Sequence, residues 1–388
     1  MRTQRVRLAR PLEKTIAAGH PWIYRDALEA FHATPGDELV VETRNGRFLA
    51  RGLAESGPIA VRVLSLVDRP IDAALVGDRL DAALDLRDAL ALPGTNALRL
   101  VHGEGDRLPG VVVDRYDATA VLRLDGDAAT AREALFVAAI EPRLRERGIG
   151  TLIVRTGRKE TISVRVAFGN EPPRRTPITE HGMTLLVDLM HGQKTGLFLD
   201  HRESRRRVRE LARGRRVLNL YGYTGGFSIA AGLGGASSVT TVDIARAAIE
   251  LAGESWAANG LDPTLHHGVA DDVPTFLAGS EANRFDLIVA DPPNFAPSER
   301  SLDAALASYR KLHADCLGRL SRGGFYLAAS CSSHVDATTF LGTIREAAAS
   351  IRKQVQVLER TSAPADHPRL VAFPEGDYLK VVLLRVLD

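Results

Sequence analysis

The chain has 388 residues, of which 45% are hydrophobic and 25% are charged, and its formal net charge is only +2. These values predict a globular protein of two or three domains, and they exclude a polycation that wraps around nucleic acid. The amino terminus is charged, no apolar run approaches the ~20 residues that span a bilayer, and the two cysteines form no CxxC motif. We therefore predict a cytoplasmic protein with no membrane contact and no metal site.

Residues 1–68 predict a small β-rich domain. The pair Asn45-Gly46 lies between two strand-like runs, which is a strong signal for a hairpin with a two-residue turn. Residues Ala60–Leu66 supply a further strand. We therefore expect an independent β-rich module at the amino terminus.

Residues 69–190 predict a central α+β domain. A helix is expected over Ile71–Leu90 and an amphipathic helix over Thr130–Gly148, with short strands in the sequences TLIVRT, TISVRVAF and MTLLVDL. The segment Glu171–Pro177, EPPRRTP, is rich in turn residues and predicts a linker.

Residues 191–388 alternate between apolar strands and helices. The runs RRVLNLY, SVTTVD, FDLIVADPP and FYLAASCS suit a sheet that is buried on both faces, and YLKVVLLRVL predicts the last strand. This alternation predicts an α/β, doubly wound, mostly parallel sheet of the Rossmann-like type. Because ligands bind beyond the carboxyl ends of the strands in such sheets, the residues that follow each strand are candidates for a site.

The first strand of this domain is followed by a glycine-rich turn. Gly222, Gly225 and Gly226 allow a sharp turn and a close approach of the backbone to a ligand at a helix N-terminus. Such turns serve dinucleotide, phosphate and S-adenosylmethionine sites alike. The spacing is not GxGxxG and no Walker lysine follows, which disfavours NAD and ATP.

Acidic residues follow the second and third strands. Asp243 is placed to accept hydrogen bonds from both hydroxyls of a ribose, or else to cap the helix predicted over residues 245–260. Of Asp271 and Asp272, we favour Asp272 as the acceptor from an adenine amino group. The same pair could instead cap the short helix that follows.

The fourth strand is followed by the sequence Asp291-Pro292-Pro293-Asn294-Phe295. Two prolines stiffen the backbone and remove two donors, so Asp291 is expected in a fixed position near an aromatic ring. This arrangement suits the binding of a flat, hydrogen-bonding base. Together with the acidic end of the second strand, it predicts a methyltransferase.

The fifth strand ends in Ser330-Cys331-Ser332 and is expected to lie beside the strand that precedes Asp291. Carbon 5 of a pyrimidine is a poor nucleophile, but a thiolate that adds to carbon 6 makes the ring enamine-like and able to attack a methyl donor. A cysteine at a strand end that faces a helix N-terminus suits this role. The alternative is that Cys331 is a small buried hydrophobe, as we expect for Cys316.

The run from Arg202 to Arg216 is strongly basic, and Arg174 and Arg175 form a smaller cluster. The run predicts either a nucleic-acid-binding face or the solvated side of a helix. The sequence does not decide between these two interpretations.

Several of these motifs resemble those of one family. HGQKTGLFLDHRESR, LNLYGYTGGFSIAAGLGGASSVTTVD, DPPNF, SCSS and ADHPRLVAFPEGDYLK resemble the bacterial 23S rRNA large subunit methyltransferase I family, whose members make 5-methylcytosine. LARPLEKTIAAGHPWIYRDA resembles the start of its RNA-binding PUA domain, and RLVHGEGDRLPGVVVDRY resembles its central domain. The resemblance implies a PUA-like domain over residues 1–68, a central domain over 69–190 and an S-adenosylmethionine-dependent methyltransferase domain over 191–388.

The resemblance also implies roles for individual residues. Cys331 is the expected nucleophile toward carbon 6, and Asp291 is expected to position the cytosine at its ring nitrogen or amino edge. The residues expected to contact the substrate are Pro293, Asn294, Phe295 and Arg202, although Arg202 could equally form an ion pair with Asp200 at a domain junction. The residues expected to bind S-adenosyl-L-methionine are Lys194, Thr195, Gly196, Phe198, Asp200, Tyr221, Tyr223, Thr224, Gly225, Gly226, Asp243, Ile244, Asp271, Asp272, Asp291 and Pro292.

We therefore predict an S-adenosylmethionine-dependent rRNA cytosine-C5 methyltransferase whose partner is 23S rRNA or the assembling large ribosomal subunit. The family usually has lysine in place of Asn294, which leaves open the base that removes the carbon-5 proton. KTGLFLDHR and GLGGASSVTTVD also resemble a sister group that methylates guanine N7 and lacks the cysteine on the fifth strand. An rRNA guanine-N7 or uracil-C5 methyltransferase and a non-catalytic RNA-binding ribosome-assembly factor are the alternatives. The modified nucleotide and the oligomeric state, a homodimer included, are left open.

Overall fold

The computed structural model describes residues 3–157, 161–279, 281 and 284–388. The chain folds into two compact units, each formed by three segments of sequence. The first unit consists of Met1–Arg174, Asp188–Gly196 and Ala365–Gly376, and the second of Arg175–Val187, Leu197–Pro364 and Asp377–Asp388. Residues 175–187, which we expected in the central domain, thus belong to the second unit. Within the described residues, no helix is both long enough and apolar enough to cross a membrane.

The amino-terminal part of the first unit contains, among its described residues, a five-stranded sheet with the order β1-β3-β4-β5-β2. Its elements are β1 Thr3–Arg7, α1 Glu13–Ala17, β2 Trp22–Tyr24, β3 Glu38–Glu42, β4 Phe48–Ala54 and β5 Ile59–Ser65. The predicted hairpin joins β3 to β4, but its turn is longer than two residues. Thr43 N–H donates to Arg47 O, Gly46 N–H donates to Thr43 O, and Gly46 has a φ of 76°. A left-handed glycine at this position is typical of three-residue hairpin turns.

The first unit also contains a second sheet, with the order β10-β9-β8-β7-β6, packed against helices. Its elements are α2 Ala73–Leu90, β6 Ala97–His102, β7 Val111–Tyr116, β8 Thr119–Leu124, α3 Asp127–Ala131, α4 Glu133–Glu146, β9 Thr151–Thr156 and β10 Ser163–Phe168. The helix expected over Thr130–Gly148 is interrupted at Arg132. Leu84 of α2 and Ile140 of α4 belong to the same buried core as Leu122 of β8.

The second unit is built on a sheet that has, within the described ranges, seven strands in the order β15-β14-β13-β16-β17-β19-β18. Its elements follow a hairpin of β11 Thr176–Glu180 and β12 Met183–Val187, and they are α5 Arg202–Leu211, β13 Arg216–Leu220, α6 Gly226–Leu233, β14 Ser238–Asp243, α7 Arg246–Ala258, β15 His266–Ala270, α8 Val273–Gly279, β16 Phe285–Ala290, α9 Leu302–Arg319, β17 Leu320–Ser330, α10 Ala337–Ser350, β18 Val355–Thr361 and β19 Lys380–Val386. The strands β13 to β17 run parallel, and β19 runs antiparallel to both its neighbours. The predicted doubly wound, mostly parallel sheet is confirmed.

Hydrophobic cores lie on both faces of this sheet. Leu218 and Ile288 belong to one buried cluster, whereas Val217 and Val289, each next to one of them in sequence, belong to the other. Alternate residues of a strand point to opposite faces, so each strand must be apolar along its whole length to fill both cores. This requirement explains the continuous apolar runs in the sequence.

The strands that the sequence did not predict include two in or beside the second unit's large sheet region, β11 and β18. The first, β11, begins at Thr176 inside the expected linker and pairs with β12. The second, β18, pairs only with β19 at the edge of the large sheet, and most of its residues are exposed. Because β18 is largely exposed on both faces, its sequence has no continuous apolar run that would predict a strand.

Candidate active site

The turn after β13 has a backbone conformation that few residue types adopt. Tyr221, Tyr223 and Gly225 have φ angles of 56°, 45° and 76°. A Cβ atom at Gly225 would lie 2.6 Å from the Cβ atom of Ala252, so only glycine allows α7 to pack this closely. The turn leads directly into α6, whose N-terminal N–H groups lie behind it, as in nucleotide-binding turns of such sheets.

Asp243 and Ile244 follow β14 at the same edge of the sheet. The Asp243 carboxylate accepts hydrogen bonds from Tyr223 N–H and Ala245 N–H, both at 2.9 Å, and each oxygen keeps a further lone pair. It does not cap α7 with its side chain, because the N-cap residue of that helix is Ala245. Ile244 is 75% exposed. Together the two residues offer an acceptor and an apolar surface, which fit the ribose and adenine of S-adenosylmethionine.

Asp271 and Asp272 follow β15 and bond to their own segment. Asp272 accepts from the N–H and the hydroxyl of Thr275 at 3.4 and 3.3 Å, so it lies over the first turn of α8. Asp271 accepts from Asp272 N–H at 2.8 Å, and its own N–H donates to Asp243 O. These contacts agree with the capping interpretation, and binding of adenine by Asp272 stays a prediction.

Asp291 follows β16 and is held by a histidine that the sequence did not single out. The distance from His201 Nε2 to Asp291 Oδ2 is 3.1 Å. His201 is 2% exposed, its ring packs against Phe227, and its Nδ1 atom has no hydrogen-bond partner among the described residues. The position of the Asp291 carboxylate therefore depends on a buried imidazole as well as on the two prolines.

The residues after Asp291 connect two strand ends. Asn294 Oδ1 accepts hydrogen bonds from the Ser332 hydroxyl at 2.7 Å and from Ala296 N–H at 2.9 Å. Pro292 is buried, Pro293 and Asn294 are exposed, and the half-buried Phe295 packs against another aromatic ring. The amide of Asn294 thus ties the loop after β16 to the segment after β17.

Cys331 directly follows β17 and is half-buried. Lys380 of β19 pairs with Ser330 in the antiparallel register, and its ammonium donates to the carbonyls of Ser332 and Tyr378. Burial lowers the pKa of Lys380 to about 8, and negative charge on Cys331 opposes this effect. The same electrostatic interaction stabilises a thiolate at Cys331 whenever Lys380 is charged.

Tyr309 of α9 lies beside both candidate catalytic residues. Its hydroxyl is 2.9 Å from Ser330 Oγ and 3.1 Å from Ser332 Oγ, and its side chain is fully buried. Burial raises its pKa above the usual value, and the charges of Cys331 and Asp291 add to this effect. The structure therefore brings Cys331 and Asp291 around one neutral phenol.

Lys194, Thr195 and Gly196 lie in the first unit, whereas the residues described above lie in the second. Thr195 is 1% exposed, and its hydroxyl donates to Asp114 Oδ2 at 2.6 Å and lies 2.8 Å from Tyr116 Oη. The role of this segment in cofactor binding stays a prediction.

Phe198, Asp200 and Arg202 precede or begin α5. Phe198 packs edge-on against Tyr223 with ring centroids 5.5 Å apart, next to the glycine-rich turn. Asp200 Oδ2 accepts from Tyr378 Oη at 2.8 Å. Arg202 is 1% exposed, and its Nε atom lies 3.3 Å from Glu203 Oε1. Its guanidinium is thus buried in the second unit, and contact with a substrate stays a prediction.

The basic run from Arg202 to Arg216 is largely neutralised by carboxylates. Arg205 forms a buried, two-bond ion pair with Glu180 at 2.7 and 2.6 Å. Arg206, Arg207 and Arg216 pair with Glu203, Glu359 and Asp286. Arg216 holds the pKa of Asp286 down to about 2. Most of the run therefore stabilises the fold of its own unit.

The sequence interpretation missed His201, Tyr309 and Lys380. Lys380 closes the tail ADHPRLVAFPEGDYLK that carries part of the family resemblance, and His201 lies within HGQKTGLFLDHRESR. Membership in those two motifs was the signal that could have identified His201 and Lys380. Tyr309 lies in an ordinary helical pattern, and nothing in its spacing distinguishes it.

Comparisons with known proteins agree with this architecture. A family model described as S-adenosylmethionine-dependent methyltransferase matches residues 147–385, and one described as PUA-like domain matches residues 6–66. The crystal structure of SMU.776, a protein described as a methyltransferase complexed with SAH, is 25% identical and covers 100% of both chains with a TM-score of 0.88. The fold and site define an S-adenosylmethionine-dependent methyltransferase with an amino-terminal PUA-like domain.

Curated relatives narrow this class. The Ribosomal RNA large subunit methyltransferase I of Erwinia tasmaniensis is 37% identical and covers 99% of this chain and 100% of its own length. The protein of the same name from Serratia proteamaculans is 35% identical over the same shares of the two chains. The chain belongs to the Ribosomal RNA large subunit methyltransferase I family.

Proposed function

We propose that this protein methylates carbon 5 of a cytosine in 23S rRNA through a covalent adduct of Cys331. The observation that carries the proposal is the position of Cys331 at a strand end, between two serines that contact the Tyr309 phenol, with the Lys380 ammonium bonded to the carbonyl of the next residue. The rRNA substrate is inferred from the names of relatives that match along nearly the whole chain.

Bound S-adenosylmethionine supplies an electrophilic methyl group. The glycine-rich turn, Asp243 and Ile244 would hold it, because they provide a close backbone approach, an acceptor and an exposed apolar surface. Phe198 would line the same turn through its contact with Tyr223. The PUA-like domain would bind RNA.

The chain's own residues then divide the reaction into two stages. Lys380 stabilises the Cys331 thiolate, whose sulfur forms a bond to carbon 6, while Asp291 holds the ring at its nitrogen or amino edge. Carbon 5 then forms a bond to the methyl group as the bond between that methyl group and the sulfonium sulfur breaks, which would leave S-adenosylhomocysteine, and carbon 5 loses its proton to a base. The electrons of that C–H bond restore the double bond between carbons 5 and 6 as the sulfur–carbon bond breaks. Asn294 is not that base, because an amide is not basic and its oxygen already accepts from Ser332.

Methyl transfer from labelled S-adenosylmethionine to unmodified 23S rRNA tests this function. We expect the label in 5-methylcytosine, and we expect Cys331→Ala to abolish it while retaining S-adenosylmethionine binding in calorimetry. Label in guanine or uracil, or activity that survives in Cys331→Ala, would contradict the proposal. Absence of S-adenosylmethionine binding to the wild type would identify a non-catalytic RNA-binding factor.

A further inference from the structure

A pocket of the first unit concentrates positive charge. Its volume is about 260 Å³, and it is lined by residues of β8, β9 and β10 and of the loop over residues 190–194. Its basic lining residues are Arg123, Arg155, His191 and Lys194. Among the described residues that line it, there is no carboxylate. We call it the basic pocket.

Two arginines of the basic pocket oppose each other across neighbouring strands. Arg123 of β8 and Arg155 of β9 are direct partners in the parallel register. Their next partners across the sheet are Val112 and Val164, which carry no charge. Like charges in direct cross-strand positions repel and destabilise a sheet. The pair therefore requires compensation from another source.

Arg155 is compensated by the backbone. It is 5% exposed, and its guanidinium donates to Gly192 O at 2.9 Å, to Met190 O at 3.0 Å and to Lys194 O. These bonds fix the loop over residues 190–194, and the carbonyl dipoles stabilise the positive charge of Arg155. The nearby Asp188 is also engaged, because its Oδ1 atom accepts from His191 N–H at 2.8 Å.

Within the part of the chain that the structure describes, Arg123 lacks such compensation. It is half-buried, and none of the described residues forms an ion pair or a hydrogen bond with its guanidinium. A half-buried arginine in a concave site whose described lining holds no carboxylate, directly opposite a second arginine, favours an anion. The planar fork of arginine matches two oxygens of a phosphate group.

We propose that the basic pocket binds a phosphodiester of the RNA backbone, with Arg123 as its principal contact. This proposal rests on the proposed function, because the RNA is the substrate. It assigns RNA binding to an arginine of β8, whereas most arginines of α5 form ion pairs with carboxylates of their own unit. Such a contact would hold the RNA in register without reading its bases.

Arg123→Gln tests the proposal, with Arg165→Gln as a matched control. Arg165 lies on β10 next to the pocket residue Val164, so its side chain points to the opposite face, where it pairs with Glu133. Binding of a 23S rRNA transcript is measured over a range of salt concentrations. We expect Arg123→Gln to reduce the slope of log affinity against log salt by about 1 and to weaken binding about 3- to 10-fold at low salt. The control should keep the wild-type slope.

Thermal stability supplies an independent readout. Removal of one of two opposed charges should leave the melting temperature of Arg123→Gln unchanged or raised. A lowered melting temperature with an unchanged salt slope would overturn the proposal and make Arg123 a structural residue. An unchanged RNA slope combined with Arg123-dependent binding of inorganic phosphate in calorimetry would assign the pocket to a small anion and also overturn it.

Activity separates this proposal from the proposed function. At saturating RNA, Arg123→Gln should still produce the nucleoside that the wild type produces, because Arg123 binds and does not react. Failure of the wild type to form 5-methylcytosine contradicts the proposed function, whereas the salt slope of Arg123→Gln decides on the basic pocket alone.

Discussion

The two cysteines of the chain lie in regions with opposite chemistry. Cys316 is fully buried on α9, where burial raises its pKa to about 12. Cys331 is half-buried after β17, where the ammonium of Lys380 interacts with it. For Cys316 burial is the largest cause of the shift and keeps the thiol protonated, whereas the cation near Cys331 favours the thiolate that the proposed reaction needs. The comparison shows that the environment of a cysteine, and not the residue type, distinguishes a core cysteine from a candidate catalytic cysteine.

Removal of the cation at Cys331 should produce the largest effect. We expect Lys380→Met to reduce kcat about 10- to 100-fold, because an opposite charge nearby shifts an ionisation by about 1 to 3 pH units. Since the pKa of Lys380 is about 8, the loss should be largest below pH 8 and should narrow above it. The pH profiles of methyl transfer and of Cys331 alkylation by iodoacetamide measure this.

Lys353→Met is the matched control for that experiment. Lys353 is also partly buried, burial also lowers its pKa, and its ammonium donates to Leu320 O at the start of β17. It should keep the wild-type pH profile. If Lys380→Met and the wild type had the same pH profile, the ammonium of Lys380 would not be what distinguishes Cys331 from Cys316.

Removal of the Tyr309 hydroxyl, which contacts the serines on either side of Cys331, should have a smaller effect on kcat. Tyr309→Phe loses the hydrogen bonds to Ser330 and Ser332 and should reduce kcat about 5- to 30-fold, at about 0.5 to 1 kcal/mol for each bond. Tyr326→Phe removes the corresponding hydroxyl beside His313, in the region of Cys316, and should leave kcat unchanged. Equal losses in the two variants would mean that the hydroxyls act only on stability.

Near Cys316, the expected effect is instead a loss of folding stability at acidic pH. Burial lowers the pKa of His313 to about 3 from its usual value of 6.5. Below pH 6.5 the unfolded chain binds a proton that the folded chain does not, so stability falls as the pH falls. His313 should contribute a loss of about 1.6 kcal/mol between pH 6.5 and pH 5.

Denaturant unfolding at several pH values measures this contribution. His313→Gln should show a shallower loss of stability than the wild type between pH 6.5 and pH 5. His334→Gln, which changes an exposed histidine of the same unit, should follow the wild type. A His313→Gln curve parallel to the wild-type curve would show that His313 is not the acid-sensitive group.

The sequence predicted the fold and the strand-end residues because both follow from local patterns. Apolar runs ended in Asp243, Asp291 and Cys331, and parallel strands place such ends at one edge of a sheet. The structure aligns Leu220, Ala290 and Ala328 across adjacent strands, as this rule requires.

The partners of these residues could not be predicted, because they depend on long-range register. Lys380 reaches Cys331 only because β19 returns antiparallel to β17 and pairs with Ser330. The opposition of Arg123 and Arg155 likewise depends on the register of β8 and β9, which no spacing in the sequence encodes. The ion pairs of the basic run at Arg202 to Arg216 could not be predicted for the same reason, since the partners Glu180, Glu359 and Asp286 are distant in sequence.

A covalent trap tests the central claim most directly. A 23S rRNA transcript made with 5-fluorocytidine retains fluorine at carbon 5, so elimination of the thiol is blocked after the methyl group is transferred. With S-adenosylmethionine present, the wild type and Cys316→Ala should form a protein–RNA complex that survives denaturing electrophoresis, and Cys331→Ala should form none. A complex that persists in Cys331→Ala, or a wild type that methylates cytosine but forms no complex, would contradict the account.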